Sequence, residues 1–176
     1  MNALVIDDTG RTRGIMEDSL LVRGHTCTCY HWPPELSRYG IRGSNVELIN
    51  SHDLIFLDVY FEGLPLGITF VRSLRQHGSS IPVVLMSATE INGGLADVHE
   101  FGGPTVFTRK KPPSEMLLIG KLLISLVYCL NKGADPQKIF EEIEDEKLRS
   151  VFSVPTREWC KDHGSVGLKF WAGVKA

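Results

Sequence analysis

Polar residues with chemical potential stand where short apolar runs stop. Asp7 and Asp8 follow Leu4-Val5-Ile6, Asp58 follows Ile55-Phe56-Leu57, Ser87 follows Val83–Met86, and Lys111 comes shortly after Thr105–Thr108. If those runs are parallel strands of one sheet, the residues that follow them collect beyond its carboxyl edge, where such sheets bind ligands. Three carboxylates crowded there repel one another unless a cation offsets them. A hard divalent ion with oxygen ligands removes the conflict, and Mg2+ is the expected choice beside a phosphoryl group. Lys111 would bring a point positive charge to phosphoryl oxygens, and Ser87 a hydroxyl donor. Asp58 is then free to act as a nucleophile on phosphorus, with ion and lysine neutralising the developing charge. Taken singly, each residue has a plainer role. Asp58 could sit in a turn, Asp7 and Asp8 could cap the following helix, and Lys111 could belong to a solvated basic run. Their order along the chain, each at a strand end, is what points to chemistry.

The elements that must position them are legible as alternating short apolar runs and longer helical patterns over the first 132 residues, the signature of a parallel α/β sheet. Strands are expected at Ala3–Ile6, Thr26–Tyr30, Leu54–Leu57, Val83–Met86 and Thr105–Thr108. A helix is expected over Thr12–Val22, stopped by Gly24. A second helical region runs from about Pro34 to Leu48, interrupted by Gly40 and Gly43. The next helix turns Ile68, Val71 and Leu74 inward, and a Gly-rich, weakly patterned helical region follows Ala88. A long apolar helix begins near Pro113-Ser114 and ends at Asn131-Lys132-Gly133. More of its surface is apolar than its own sheet can cover, so part is expected to meet the extension or a partner chain.

This divides the chain into a domain over residues 1–132 and a C-terminal extension over 133–176. The extension reads as mainly helical: Asp135-Pro136 has the form of an N-cap followed by Pro, and Ile139, Ile143 and Val151 alternate with a run of acids. It has no helix-turn-helix pattern with a basic recognition helix. A dimerisation element, a docking device and the start of a larger domain all fit it.

Composition narrows the classes. Hydrophobic residues make up 43% of the 176, too many for a disordered chain, and 19 basic against 21 acidic residues give a net charge of -2. That balance supplies no electrostatic reason for direct nucleic-acid binding. The most apolar stretch, Met116–Leu130, is interrupted by Lys121 and falls short of the roughly 20 residues that span a bilayer. With no basic leader before the first strand, a cytoplasmic protein is expected. Of the four cysteines, Cys27 and Cys29 have strand spacing and would share a face, and no CxxC pair occurs; four reduced thiols are expected.

LVIDD at Leu4–Asp8, IFLD at Ile55–Asp58, VVLMSA at Val83–Ala88 and KP at Lys111-Pro112 resemble the receiver domain of two-component response regulators, the CheY-like family, over about residues 2–131. The resemblance implies a doubly wound, flavodoxin-like α/β fold with a five-stranded parallel sheet in the order 2-1-3-4-5. It implies Mg2+-dependent transfer of a phosphoryl group from a phosphohistidine of a sensor histidine kinase or phosphotransfer protein to Asp58. Such a chain is a signalling protein that switches protein–protein interactions, not an enzyme beyond its own phosphorylation and dephosphorylation. Asp8, Asp58 and the Tyr60 carbonyl match the direct ion ligands, and Asp7 the acid that holds the ion through water. Ser87 matches the switch hydroxyl and Lys111 the lysine before a proline, with Lys110 a competing candidate.

The pattern departs from the family at the aromatic switch, expected three residues before the lysine. Thr108 stands there, while Phe107 lies one residue earlier and would point to the opposite side of a regular strand. Tyr60 and Thr89 occupy the positions that tune attack by water on the acyl phosphate, and a bulky Tyr60 implies a long-lived phosphorylated state. A homodimer through helix 114–131 and the extension is a further expectation. Two other classes stay open. A phosphohydrolase of the haloacid dehalogenase type also uses an Asp and Mg2+, but it needs Asp-x-Asp, and Tyr60 stands two residues after Asp58. A degenerate receiver fold would bind proteins without being phosphorylated.

Overall fold

The computed structural model describes residues 1–32, 43–88, 103–109 and 112–132. The elements run β1 (Asn2–Ile6), α1 (Gly10–Val22), β2 (Thr26–Tyr30), α2 (Gly43–Asn50), β3 (Leu54–Asp58), α3 (Leu66–Gln76), β4 (Val83–Ser87), β5 (Thr105–Arg109) and α4 (Pro113–Asn131). The described part of the second helical region begins at Gly43, nine residues after its expected start near Pro34. Thr89, Lys110, Lys111, the Gly-rich region 89–102 and the extension 133–176 lie outside the described residues.

All four strand pairings are parallel and the sheet order is β2-β1-β3-β4-β5, the doubly wound α/β arrangement expected. Parallel neighbours cannot be joined by tight hairpins, so each connection crosses over a face of the sheet. The chain starts in the middle, moves out to β2, then returns past β1 to β3 and continues the other way. At that reversal the crossovers pass to opposite faces and leave a crevice beyond the carboxyl ends of β1 and β3.

Two apolar layers hold the sheet. On one face Ala3, Val5, Leu54, Phe56, Val84, Met86 and Val106 pack against Met16 and Leu20 of α1 and against Met116, Leu117, Ile119, Leu123 and Leu126 of α4. On the other, Leu4, Ile6, Ile55, Leu57, Val83 and Leu85 meet Val46 and Ile49 of α2 and Phe70, Val71 and Leu74 of α3. β3 and β4 are buried along their whole length, which is why they read as unbroken apolar runs. Each large aliphatic side chain fully enclosed in this way contributes roughly 1.5–3 kcal/mol. In α3 the buried stripe is Gly67, Phe70, Val71 and Leu74, while Ile68, expected inward, sits on the rim and is half-buried. The 3.6-residue period places 67, 70, 71 and 74 on one line, and Phe70 takes the place that Ile68 was expected to fill. α4 buries most of its apolar surface against the sheet, leaving Leu118 and Tyr128 exposed. Among the described residues no helix is long and apolar enough to cross a membrane.

The amino-terminal end of the sheet is tied by a cation. Arg75, at the end of α3, donates to the Ser79 carbonyl at 2.9 Å, to the Pro104 carbonyl at 3.2 Å and to the Thr105 hydroxyl at 3.0 Å. Its Nε is shut from solvent and has no hydrogen-bond partner among the described residues. Burial pushes this guanidinium down to about 9, still charged at neutral pH.

Candidate functional site

β1 and β3 are neighbours with Ile6 opposite Leu57, so the residues that follow, Asp7 and Asp58, emerge side by side at the carboxyl edge. Asp8 joins them. One carboxylate oxygen from each of Asp7, Asp8 and Asp58 lies within 4.8 Å of the others. Asp7 is 0% and Asp58 5% exposed, while Asp8 forms the open side. Three carboxylate donors at this separation, two of them withdrawn from water, make an all-oxygen set suited to a hard divalent cation and not to a soft one.

The backbone around the acids is fixed by local bonds. Thr9 caps α1 without a side-chain hydrogen bond to the helix, so the capping role open to Asp7 and Asp8 is not what they do. Instead the Thr9 amide donates to Asp7 Oδ1 at 2.8 Å and the Thr9 hydroxyl to Asp8 Oδ1 at 3.3 Å. After β3, Phe61 and Leu64 exchange backbone hydrogen bonds at 2.9 Å around a tight turn with Glu62 at φ 51° and Gly63 at φ 78°. Positive φ at both central positions is the hairpin geometry that matches strand twist, and an ordinary side chain at Glu62 adopts it at a cost. The turn aims the Glu62 amide at Asp8 Oδ2, 3.1 Å away. Tyr60, half-buried between Asp58 and this turn, has its amide 3.5 Å from Asp58 Oδ1.

Two further residues belong to the site and were not found from sequence. The Arg13 guanidinium, on α1, donates to the Asp7 carbonyl and lies 3.4 Å from His31 Nδ1. His31, just past β2, has that same nitrogen 2.9 Å from the Asp8 carbonyl. They pin the main chain of both acids from the outer side. An Arg in a helix and a His after a strand carry no signal of this in a single sequence.

Ser87 is buried at the end of β4 and continues the alternation of Val83 and Leu85, toward the α2–α3 face. β5 pairs with β4 residue for residue, Leu85 opposite Phe107, Met86 opposite Thr108 and Ser87 opposite Arg109, with no bulge to shift the register. Phe107 therefore shares the Ser87 side of the sheet and packs on the α2–α3 core. Thr108 is buried on the side of Val106 and Met86, with its hydroxyl 3.1 Å from the Arg109 carbonyl. The structure thus brings together Asp7, Asp8 and Asp58, with Tyr60 adjoining, and separates Phe107 from Thr108 by the thickness of the sheet. Lys111 and Thr89 are outside the described residues.

Neither family models nor curated proteins match the chain. Solved structures do. The receiver domain of a Francisella response regulator is similar at TM-score 0.54 and 20% identity, covering 70% of this chain and 96% of that one. An orphan response regulator of H. pylori is similar at 0.53 and 18%, over 70% and 96%. A Burkholderia pseudomallei response regulator, solved with a phosphorylated aspartic acid, a calcium ion and citrate, is similar at 0.51 and 16%, over 68% and 65%. At these identities the likeness speaks for the fold. With its strand order, its two helical layers and the acidic edge at the β1–β3 reversal, this chain has the fold of response-regulator receiver domains.

Proposed function

We propose that the chain is a phosphoacceptor that takes a phosphoryl group onto Asp58 from the phosphohistidine of a sensor kinase or phosphotransfer protein, and so switches its protein contacts. The observation that carries this reading is the meeting of Asp7, Asp8 and Asp58 within 4.8 Å at the β1–β3 crevice. The phosphorylated aspartate and divalent ion in the Burkholderia neighbour support it by likeness of fold.

In this reading an Asp58 carboxylate oxygen attacks phosphorus as the phosphorus–nitrogen bond to the donor imidazole breaks, leaving an acyl phosphate and a neutral histidine. Mg2+ held by Asp7, Asp8, Asp58 and the Tyr60 carbonyl would neutralise the acids and the incoming phosphoryl oxygens. Glu62, Arg13 and His31 keep the Asp7–Asp8 segment in place, so little reorganisation is needed when the donor arrives. Ser87 donates to a phosphoryl oxygen, and Phe107, on the same side of the sheet, is the aromatic group able to respond to it. No direct nucleic-acid contact and a cytoplasmic location are part of the proposal. So is pairing of two copies through the outer side of α4 and the residues beyond it.

Incubating the full chain with acetyl phosphate tests the proposal, with and without Mg2+ and read by intact mass. One phosphate adduct that disappears with EDTA is expected. No adduct in either condition would identify a receiver fold used only for binding, and continuous consumption of varied phosphate esters would identify a hydrolase.

The register of β5, which puts Phe107 on the Ser87 side of the sheet, supports Lys110 over Lys111 as the phosphoryl-binding lysine. Phe107 lies three residues before Lys110, the spacing that the family keeps between aromatic and lysine, whereas Thr108 lies three before Lys111. Removing the phosphoryl-binding charge should slow Asp58 labelling by about ten- to a hundredfold. Lys110→Ala is expected to show that loss and Lys111→Ala to stay within about threefold of the parent, an order that the reverse result would invert. Tyr60, packed on the α2–α3 core, narrows the approach of water to Asp58. The phosphorylated chain is expected to outlive a free acyl phosphate, with Tyr60→Ala shortening its lifetime; decay at the rate of the free compound removes Tyr60 from that role.

A further inference from the structure

Cys27 and Cys29 face the same side of β2, the outermost strand at its edge of the sheet. Their sulfurs are 3.3 Å apart and both side chains are half-buried, Cys29 reaching toward the Arg13 carbonyl under α1. We propose that Cys27 and Cys29 form a two-thiolate site for a soft monovalent metal ion, Cu(I).

The strand itself decides against a bond between the sulfurs. β2 pairs with β1 residue for residue, Cys27 opposite Ala3 and Cys29 opposite Val5. Residues two apart on such a strand have α-carbons about 6.6–6.8 Å apart, and side chains standing off the sheet keep their β-carbons nearly as far. A disulfide spans only about 3.5–4.5 Å between β-carbons. The two sulfurs therefore lean together without being able to join. An ion seated between them makes no such demand, because it is gripped from both sides and rotation about χ1 sets the width of the gap.

The donors select the ion. Thiolates favour soft metals, chiefly Cu(I), zinc and iron–sulfur clusters. Structural zinc and clusters need four protein ligands. Among the described residues the group of three or more metal-binding side chains is the Asp7–Asp8–Asp58 set, at the carboxyl edge and made of hard oxygens. Cu(I), with a filled d shell, is satisfied by two thiolates in line. The surroundings suit it as well. The pair packs on the apolar cluster that holds Val5, Met16 and Leu20, a shell that limits water at the ion and so resists oxidation to Cu(II). The half-buried side chains at the edge strand leave a way in. On binding, both thiols ionise, two copper–sulfur bonds form, the two protons pass to solvent, and copper stays Cu(I).

The test offers Cu(I) to the reduced full chain without oxygen, against a chromogenic Cu(I) chelator, and reads copper per chain and the ultraviolet thiolate-to-copper absorption. One copper per chain is expected, and the same in the double variant Cys129→Ser/Cys160→Ser, which keeps only the proposed pair. Cys27→Ser and Cys29→Ser, checked for folding by circular dichroism, should each weaken retention by about a hundredfold or more, the loss of one arm of a two-point grip. No retention against the chelator, full retention in either single variant, loss in the double variant, copper shared between two chains, or an equal hold on zinc would overturn the proposal.

Discussion

Asp58→Asn is expected to take up no phosphoryl group under conditions that label the parent chain fully. The amide oxygen is a poor nucleophile, and the neighbouring Asp7 and Asp8 cannot take its part, because they are held through their main chain and side chains by Arg13, His31, Thr9 and Glu62. The loss read by intact mass should exceed about a hundredfold in rate, the scale of removing a covalent nucleophile. Stability should move the other way. Without a divalent ion, replacing one of three crowded carboxylates relieves repulsion, so the urea midpoint of Asp58→Asn should equal or exceed that of the parent. With Mg2+ the parent should gain about 1.4 kcal/mol for each tenfold excess of ion over its dissociation constant, and the variant much less. Labelling that persists in Asp58→Asn would move the phosphoacceptor elsewhere.

Gly67→Ala should cost nearly as much, although position 67 has no chemistry of its own. The Gly67 amide donates to the Val59 carbonyl at 3.0 Å, pressing the first turn of α3 against the end of β3. A β-carbon there would overlap the Asp58 carbonyl oxygen and stand 3.0 Å from Val59 Cα. Both obstacles are main chain in a buried strand end, so α3 must withdraw from the sheet. Withdrawal loosens the contacts of Phe70, Val71 and Leu74, fully enclosed side chains of the α2–α3 core. An expected loss of about 3 kcal/mol or more, measured by urea denaturation, is a large share of the roughly 5–15 kcal/mol that holds a domain of this size. A loss under about 1 kcal/mol would mean that the approach at Asp58 is softer than its geometry implies.

The sheet was legible because β3 and β4 are apolar at every position but the last, where each ends on a residue of different character, Asp58 and Ser87. The acidic cluster was legible for the same reason, since parallel strands deliver whatever follows them to one edge. Helix faces were harder. In α1 the adjacent pairs Ile15-Met16 and Leu20-Leu21 offer two competing stripes, and packing alone settles that Met16 and Leu20 go in while Ile15 and Leu21 stay about half exposed. Contacts made through main-chain carbonyls, as by Arg13 and His31, leave no mark on residue types. Which of Phe107 and Thr108 shares a face with Ser87 needed the β4–β5 register, because the doubled Lys110-Lys111 makes counting back from the lysine ambiguous.

Arg75 has an evolutionary consequence. Gly103 holds φ 77°, and any β-carbon on it would fall 2.6 Å from Arg75 Nε. The two positions, far apart in sequence, should therefore be inherited as a pair, since the guanidinium as placed leaves no room for a side chain at 103. Lineages that keep Arg75 should keep Gly103. Those that trade the arginine for a smaller residue free the site for asparagine or aspartate, which tolerate such a backbone. The order of the steps matters: the arginine has to go first.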